Sequence, residues 1–274
     1  MKQIHVSQLN MAGRCLTQFE LRYIEGIKRP PGRAAIRGSG THNTIKPDML
    51  SKRNTGQLLP DEEIKDIAHD ATEEAWEATL QYSDGPRLTE AEQELGVAKV
   101  RAATVDEAIS LAVLHHSHLA PTLEPDRVEY PWVLDLDGYP VSLGGTIDLQ
   151  EKATHFVDQP IIPGTLRDTK TAGKSPVKDA ADKSQQLTMY SMAAWKLDGA
   201  IPPLALDHLI LKKTPEIVTQ TTSRVVDDFR VLLRRVEALC RAMDAGVFPP
   251  CNPDAWVCSP MWCGYYGKEC QYTR

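Results

Sequence analysis

Two extended segments that meet at a tight turn constrain the fold of this chain most strongly. Residues 127–135 and 139–149 are rich in β-branched and aromatic side chains and flank Asp137-Gly138, a dipeptide typical of hairpin turns. The preceding residues 61–119 instead carry apolar side chains at helical spacing. The hydrophobic period therefore changes near residue 120, and the chain is predicted to be an α/β protein.

The remaining pattern predicts a single domain over residues 1–274, because no Ser- or Gly-rich linker divides the chain. We expect an N-terminal segment (1–59), an acidic helical insertion (60–119), a core (120–245) and a Cys-rich tail (246–274). Residues 28–42 are expected to form a loop because they are rich in Pro, Gly and Arg. The predicted helices are 7–25, 61–82, 88–119, 179–198 and 224–245, and further strands are expected at 154–158, 164–171, 205–213 and 216–222.

Charge is distributed unevenly along the 274 residues. The net charge of −6 combines +7 in residues 1–59, −16 in residues 60–159 and +3 in residues 160–274. Basic ends can hold a polyanion although the total is acidic. No apolar run is long enough for a transmembrane helix, and the first residues, MKQIHVSQLN, lack the apolar core of a signal peptide. We therefore expect a cytoplasmic protein, in the host cytoplasm if a phage encodes it, with no membrane partner.

Two carboxylates and a lysine lie at neighbouring predicted strand ends. Asp148 ends the segment GGTIDL, and Asp168 and Lys170 share one face of the strand LRDTKT. Carboxylates of this kind bind Mg²⁺ or Mn²⁺, which polarises a phosphoryl oxygen, and a lysine can stabilise the charge that develops. Alone, D-x-K is a weak signal, because Asp and Lys alternate by chance on many exposed strands.

Two further features support a site near these carboxylates. Gln186 and Tyr190 lie four residues apart, on one face of the predicted helix 179–198, although a packed helix face would give the same spacing. His42 follows Gly38 and Gly40 in the basic N-terminal segment, where glycine permits a close backbone approach. The run His115, His116 and His118 can bind metal, but its position at a helix C-terminus explains it more simply.

Four of the six cysteines fall within the last 24 residues. Cys240 lies on the apolar face of a predicted helix and is assigned to the core. A disulfide framework is disfavoured for a chain of this size without a signal peptide. The spacing of Cys258, Cys263 and Cys270 leaves zinc and an iron–sulfur cluster open, with Cys15 or Cys251 as the fourth ligand.

Taken in order, these elements resemble the PD-(D/E)XK nuclease superfamily, and within it the RecB-like branch that carries an iron–sulfur cluster. That branch includes CRISPR-associated RecB-type exonucleases, the AddB nuclease domain and many phage exonucleases. The resemblance covers nearly the whole chain. Its elements are Ser7 with Cys15, Gly38 with His42, Gly145 with Asp148, Asp168 with Lys170, Gln186 with Tyr190, and the three C-terminal cysteines.

The resemblance implies a restriction-endonuclease-like core, in which helices flank a central mixed sheet and the Cys-rich tail closes onto the N-terminal helix. His42, Asp148, Asp168 and the backbone carbonyl of Thr169 would bind Mg²⁺ or Mn²⁺. Lys170 would be the catalytic lysine.

The same resemblance implies roles for residues outside the metal site. Gln186 and Tyr190 would lie near the DNA. A [4Fe-4S] cluster would be bound by Cys15, Cys258, Cys263 and Cys270, with Cys251 as an additional thiol.

Three functions follow as hypotheses. The first is a metal-dependent DNA exonuclease that hydrolyses phosphodiester bonds from single-stranded ends, in recombination or repair. The second is a DNA-end-binding or assembly subunit of a recombination or spacer-acquisition complex, with little turnover of its own. The third is a zinc-stabilised DNA-binding protein. Expected partners are DNA and either a second copy of the chain or a recombination or replication protein.

Overall fold

A computed structural model describes residues 3–83, 85–154 and 161–273. The helices are α1 (Val6–Arg14), α2 (Leu16–Phe19), α3 (Arg33–Thr55), α4 (Asp61–Glu77), α5 (Glu90–Leu95), α6 (Val97–Leu114), α7 (Ala180–Lys183), α8 (Gln185–Asp198) and α9 (Val226–Ala245). The strands are β1 (Gln3–His5), β2 (Pro125–Asp135), β3 (Ser142–Glu151), β4 (Leu166–Ala172), β5 (Leu204–Ile210) and β6 (Glu216–Thr222). The predicted α/β class, with helices around a mixed sheet, is confirmed.

The long strand β3 organises the sheet. It pairs antiparallel with β2 along its length, parallel with β1 at its start and antiparallel with β4 at its end. Strand β4 then pairs parallel with β5, which pairs antiparallel with β6. The β2–β3 hairpin turns at residues 136–141, where Gly138 has a φ of +82° that favours glycine. The predicted hairpin is therefore confirmed. The end of β3 pairs separately with the start of β4, which brings Asp148 close to Asp168.

Helices cover both faces of the sheet. On one face, α1, α8 and α9 pack against the sheet through a large apolar core that includes Leu143, Leu166 and Phe229. On the other face, Met49 of α3 packs with Leu149 and the residues that precede β2. Helices therefore cover both faces of the sheet, and β5 (LALDHLI) is buried along nearly its whole length.

The acidic segment 60–119 packs as a helical layer on α3. Ile36, Trp76 and Val100, from α3, α4 and α6, form a buried apolar cluster. The crossing of α3 and α4 is close at Gly40, where a Cβ atom would lie 2.0 Å from Thr72 Oγ1. The predicted helices of this segment are confirmed, and they support the helix that carries His42.

Several sequence-based expectations differ from the structure. The predicted helix 179–198 is divided into α7 and α8 at Ser184. The loop expected at 28–42 is wrong beyond residue 32, because α3 runs from Arg33 to Thr55 and includes Pro47. Its glycines are tolerated because Gly40 fits against α4. The predicted helix 7–25 is interrupted at Cys15, whose backbone is extended. Strand β1 was not predicted. The strand expected at 154–158 lies largely outside the described residues.

The C-terminal tail closes onto the N-terminal segment, as expected. Thr17 Oγ donates a hydrogen bond to the carbonyl of Phe248 at 2.7 Å, and Tyr265 Oη donates to the carbonyl of Ile27 at 2.7 Å. Arg29 and Glu269 form an ion pair beside these contacts. Within the described ranges, no helix is long and apolar enough to cross a membrane.

Candidate active site

Three side chains from α3, β2 and β3 converge at the end of the hairpin. His42 Nε2 lies 3.1 Å from Glu129 Oε1 and 3.3 Å from Asp148 Oδ2. One ligand atom from each of the three residues lies within 4.8 Å of the other two. One imidazole nitrogen and two carboxylates form a donor set suited to Mn²⁺ or Mg²⁺.

Glu129 was missed by the sequence analysis. It lies between Val128 and Tyr130, whose partners on β3 are Leu149 and Ile147, so it stands opposite Asp148. Its φ of +50° is unusual for a residue with a side chain. The hairpin register could have revealed its position, since the partner of Asp148 follows from the turn, but the left-handed backbone leaves no signal in the sequence.

The two carboxylates perturb the proton affinity of His42. Hydrogen bonds to Asp148 and then Glu129 raise the pKa of His42 to about 10. Burial alone would raise the pKa of Asp148, but the His42 hydrogen bond and the nearby Lys170 outweigh it and lower that pKa. When no metal is bound, the imidazole of His42 is therefore protonated at neutral pH, and its positive charge lies between the carboxylates of Asp148 and Glu129.

Asp168 and Lys170 lie beside this cluster, on one face of β4. Lys170 Nζ donates a hydrogen bond to Asp168 Oδ1 at 2.8 Å. Asp168 is fully buried, and its Oδ2 has no hydrogen-bond partner among the described residues. Burial raises the pKa of Asp168 to about 7, against the opposing effect of Lys170. An unpaired buried carboxylate oxygen is costly unless a ligand satisfies it.

Backbone and helix contacts fix the orientation of Asp148. The amide of Thr169 donates to Asp148 Oδ2 at 3.1 Å. Tyr190 Oη accepts a hydrogen bond from Gln186 Nε2 at 2.6 Å, donates to the carbonyl of Thr146 at 2.7 Å and lies 3.4 Å from Asp148 Oδ1. The structure therefore brings Gln186 and Tyr190 together behind the carboxylate, with Tyr190 buried.

Five of the six cysteines surround one cavity of about 130 Å³ between the N-terminal helices and the tail. All six are free thiols. The backbone N–H of Cys251 donates to Cys15 Sγ at 3.4 Å. Burial, reinforced by the neighbouring Cys15 and Cys258, raises the pKa of the Cys251 thiol to about 12. The cysteines that line the cavity are Cys15, Cys251, Cys258, Cys263 and Cys270. Cys240 is buried in the core, as expected.

The histidine run ends α6 in a π-helical turn. His116 is buried between Asp48 and Asp61, with Nδ1 2.9 Å from Asp48 Oδ2 and Nε2 3.2 Å from Asp61 Oδ1. Burial lowers the pKa of His115 to about 3. The contacts with Asp48 and Asp61 give His116 a structural explanation.

Comparison with known proteins agrees with this geometry. The family model of the PD-(D/E)XK nuclease superfamily matches residues 3–274. A crystal structure of a candidate exonuclease from Eubacterium rectale is 11% identical, with a TM-score of 0.57, and the match covers 94% of this chain and 87% of that one. At that identity it shows a shared fold. A comparison with curated proteins finds no match. The family match spans almost the entire chain, and this chain therefore belongs to the PD-(D/E)XK nuclease superfamily.

Proposed function

We propose that this chain is a metal-dependent DNA exonuclease that degrades single-stranded ends and carries a [4Fe-4S] cluster. The observation that carries the nuclease proposal is the convergence of His42, Glu129 and Asp148 beside the buried Asp168, which accepts a hydrogen bond from Lys170. Membership of the nuclease superfamily supports phosphodiester hydrolysis. The preference for single-stranded ends rests on the resemblance to RecB-like enzymes.

The residues at the site fit a divalent metal. His42, Glu129 and Asp148 supply nitrogen and oxygen donors, and Asp168 Oδ2 is a buried oxygen without a partner among the described residues. We propose that these four side chains, with the backbone carbonyl of Thr169, hold Mg²⁺ or Mn²⁺. When bound, such an ion polarises a phosphoryl oxygen and makes water a stronger nucleophile at neutral pH.

Lys170 acts as a cation in this proposal. Burial would lower its pKa, but Asp168 and Asp148 outweigh that effect and raise it, so the side chain stays protonated. A protonated lysine cannot remove a proton from water, and it stabilises negative charge on the phosphate in the transition state instead. Asp168 holds the ammonium group through the 2.8 Å hydrogen bond.

Gln186 and Tyr190 position the site in this proposal. The hydroxyl of Tyr190 links Gln186 to the Thr146 carbonyl and lies close to Asp148. Burial raises the pKa of Tyr190 well above its ordinary value, so the phenol keeps its proton and stays a donor. Gln186 also lines the open groove beside Lys170, where it can contact a DNA phosphate.

The cysteine cavity supports the cluster proposal. A [4Fe-4S] cluster needs four thiolates around one space, and five cysteines surround this cavity. We propose Cys15, Cys258, Cys263 and Cys270 as the ligands. The Cys251 amide then donates to the sulfur of Cys15, a contact that tunes such clusters. The cluster would tie α1 and α2 to the tail.

Labelled DNA substrates test the proposal. Protein purified without oxygen is incubated with Mn²⁺ and linear single-stranded, linear double-stranded or circular single-stranded DNA. The proposal predicts that linear single strands are shortened to mononucleotides or short oligomers, while circles persist. Cleavage of circles would indicate an endonuclease. Binding of linear ends without cleavage would instead favour an end-binding or assembly subunit.

A further inference from the structure

An open groove adjoins Lys170 on the side of α1, α8 and α9. Its volume is about 660 Å³, and Asp168, Lys170 and Gln186 form part of its lining. A second open groove, of about 420 Å³, meets Lys170 from the side of α3. Lys170 thus lies where two grooves meet, and the first groove differs from the second in the charges around it.

Three additional cations line the first groove: Arg14 of α1, Lys183 of α7 and Arg235 of α9. Lys183 pairs with Asp179. Arg14 and Arg235 have no carboxylate within ion-pair distance in the described part of the chain, and Arg235 donates to the neutral Gln185 at 2.7 Å. Arginines left without an acidic partner beside a catalytic lysine give this groove a positive potential that suits a phosphate backbone.

Two exposed tryptophans extend the groove onto the tail. Trp256 is 61% exposed and Trp262 is 55% exposed, and their rings meet edge to face with centroids 5.3 Å apart. The guanidinium of Arg14 lies over the Trp256 ring, 6.0 Å from its centroid. Arg14 lines the groove and also contacts the ring of Trp256, so the groove and the surface of the tryptophan pair are continuous.

We infer that a single strand of DNA runs from the Trp256–Trp262 pair, past Arg14 and along the groove beside Arg235, to Lys170. This inference rests on the proposed function, since it names the path of that substrate. Indole rings stack on the open faces of unpaired bases, whereas the bases of a duplex already cover one another. The arginines meet the backbone between the stacked bases and the scissile phosphate. The tryptophan pair therefore selects single strands.

Binding is measured separately from cleavage, in a Lys170→Ala background that keeps the DNA intact. The probe is a fluorescent oligothymidylate, compared with a hairpin duplex of equal charge, and its anisotropy is followed at several salt concentrations. Replacing both Trp256 and Trp262 by Ala is expected to weaken oligothymidylate binding about tenfold or more. Duplex binding is expected to change less than twofold on the same scale.

Salt dependence separates the arginines from the aromatic pair. The affinity falls as salt rises, so the slope of log affinity against log salt is negative. Arg235→Ala is expected to make this slope shallower by about 0.7, because one phosphate contact is lost. The tryptophan variant should keep the parent slope. Arg241→Ala is the matched control on the same helix, since Arg241 pairs with Glu237 and lies outside the groove lining.

Replacing both tryptophans by Phe distinguishes stacking from damage to the tail. Phe keeps an aromatic face, so it should restore most of the binding that Ala removes, with an unchanged visible spectrum. If the double Ala variant binds oligothymidylate as tightly as the parent, the inference is wrong, and the patch is left for a protein partner. If the wild type never cuts DNA but the Ala variant still loses binding, the proposed function fails while the strand path stands.

Discussion

Glu129 and Asp148 stand opposite each other on neighbouring antiparallel strands, and His42 Nε2 lies between their carboxylates at 3.1 and 3.3 Å. Like charges that face each other across a sheet are destabilising. Glu129 also has a left-handed backbone, with a φ of +50°, which costs about 1–3 kcal/mol. Bringing these donors together therefore lowers the free energy of unfolding, as expected for a ligand site.

Glu129→Gln should weaken metal binding while preserving the fold. The change removes one charged donor but keeps the shape of the side chain, so Mn²⁺ affinity should fall by about tenfold or more. Isothermal titration with Mn²⁺ measures this directly. Asp135→Asn, at the exposed far end of the same strand, is the control and should bind as the wild type does. Equal Mn²⁺ affinity in the two variants would show that Glu129 is not a metal ligand.

The same site predicts the direction of the pH effect on Mn²⁺ binding. Because Asp148 and Glu129 raise the pKa of His42 to about 10, the metal must displace a proton. Above about pH 7, where Asp168 is ionised, affinity should therefore increase as the pH rises towards that value, by up to about tenfold per pH unit. Titrations in buffers of different ionisation enthalpy count the released proton. Binding without proton release would contradict this arrangement.

Gly40→Ala should destabilise the protein. The new Cβ would lie 2.0 Å from Thr72 Oγ1 and 2.9 Å from Thr72 Cβ, so α3 and α4 must separate. Urea unfolding should show a loss of about 1–3 kcal/mol. Gly13→Ala is the matched control, because a Cβ there has no neighbour within 4 Å and the helix should gain about 0.5–1 kcal/mol. Equal stability of both variants would contradict the close crossing.

The buried His115 should make stability fall in acid. Burial and the neighbouring basic side chains His116, Arg167 and His42 lower its pKa from 6.5 to about 3. Between about pH 6.5 and about pH 3 the unfolded chain therefore binds a proton at His115 that the folded protein does not bind. The free energy of unfolding decreases as the pH falls through this range. Between about pH 7 and about pH 5 this group should account for about 2 kcal/mol.

His115→Leu isolates this contribution, because leucine does not titrate. The wild type should lose about 2 kcal/mol more than the variant on going from about pH 7 to about pH 5, as measured by urea unfolding. His69→Leu serves as control, since His69 is exposed on α4. Parallel pH profiles for wild type and His115→Leu would mean that His115 is protonated in the folded state.

The cysteine cavity makes a prediction about cluster ligands. If the proposed [4Fe-4S] cluster is bound, the protein should be brown, and Cys15→Ser should abolish this colour and reduce the iron and labile sulfide content, because it removes a thiolate ligand. Cys251→Ser should keep the cluster, since its backbone amide, which donates to Cys15, is unchanged. Cys240→Ser, in the core, is the control. Loss of the cluster in Cys251→Ser but not in Cys15→Ser would show that Cys251 is the ligand and Cys15 the additional thiol.

Much of the architecture can be predicted from local sequence patterns, namely the spacing of apolar residues and the turn dipeptides. The Asp137-Gly138 turn predicted the hairpin, and hence that β2 lies opposite Asp148. The proximity of Asp148 to Asp168 and Lys170 depends on the separate pairing of β3 with β4, and the resemblance to the nuclease superfamily implied it. Helix α3 was missed because Gly38, Gly40 and Pro47 argue locally against a helix, whereas its stability comes from packing on α4 and α6. Glu129 was missed because its role depends on a backbone conformation that only the folded sheet imposes.

We propose that Lys170 and the adjacent acids cut DNA. The most direct measurement is the initial rate of cleavage of end-labelled single-stranded DNA with saturating Mn²⁺, for the wild type, Lys170→Ala and Lys174→Ala. Lys174 is exposed just beyond the end of β4 and serves as the charge-matched control. Lys170→Ala should lose at least about 10²-fold in the cleavage rate, and Lys174→Ala should cleave as the wild type does. Cleavage by Lys170→Ala at the wild-type rate would contradict it.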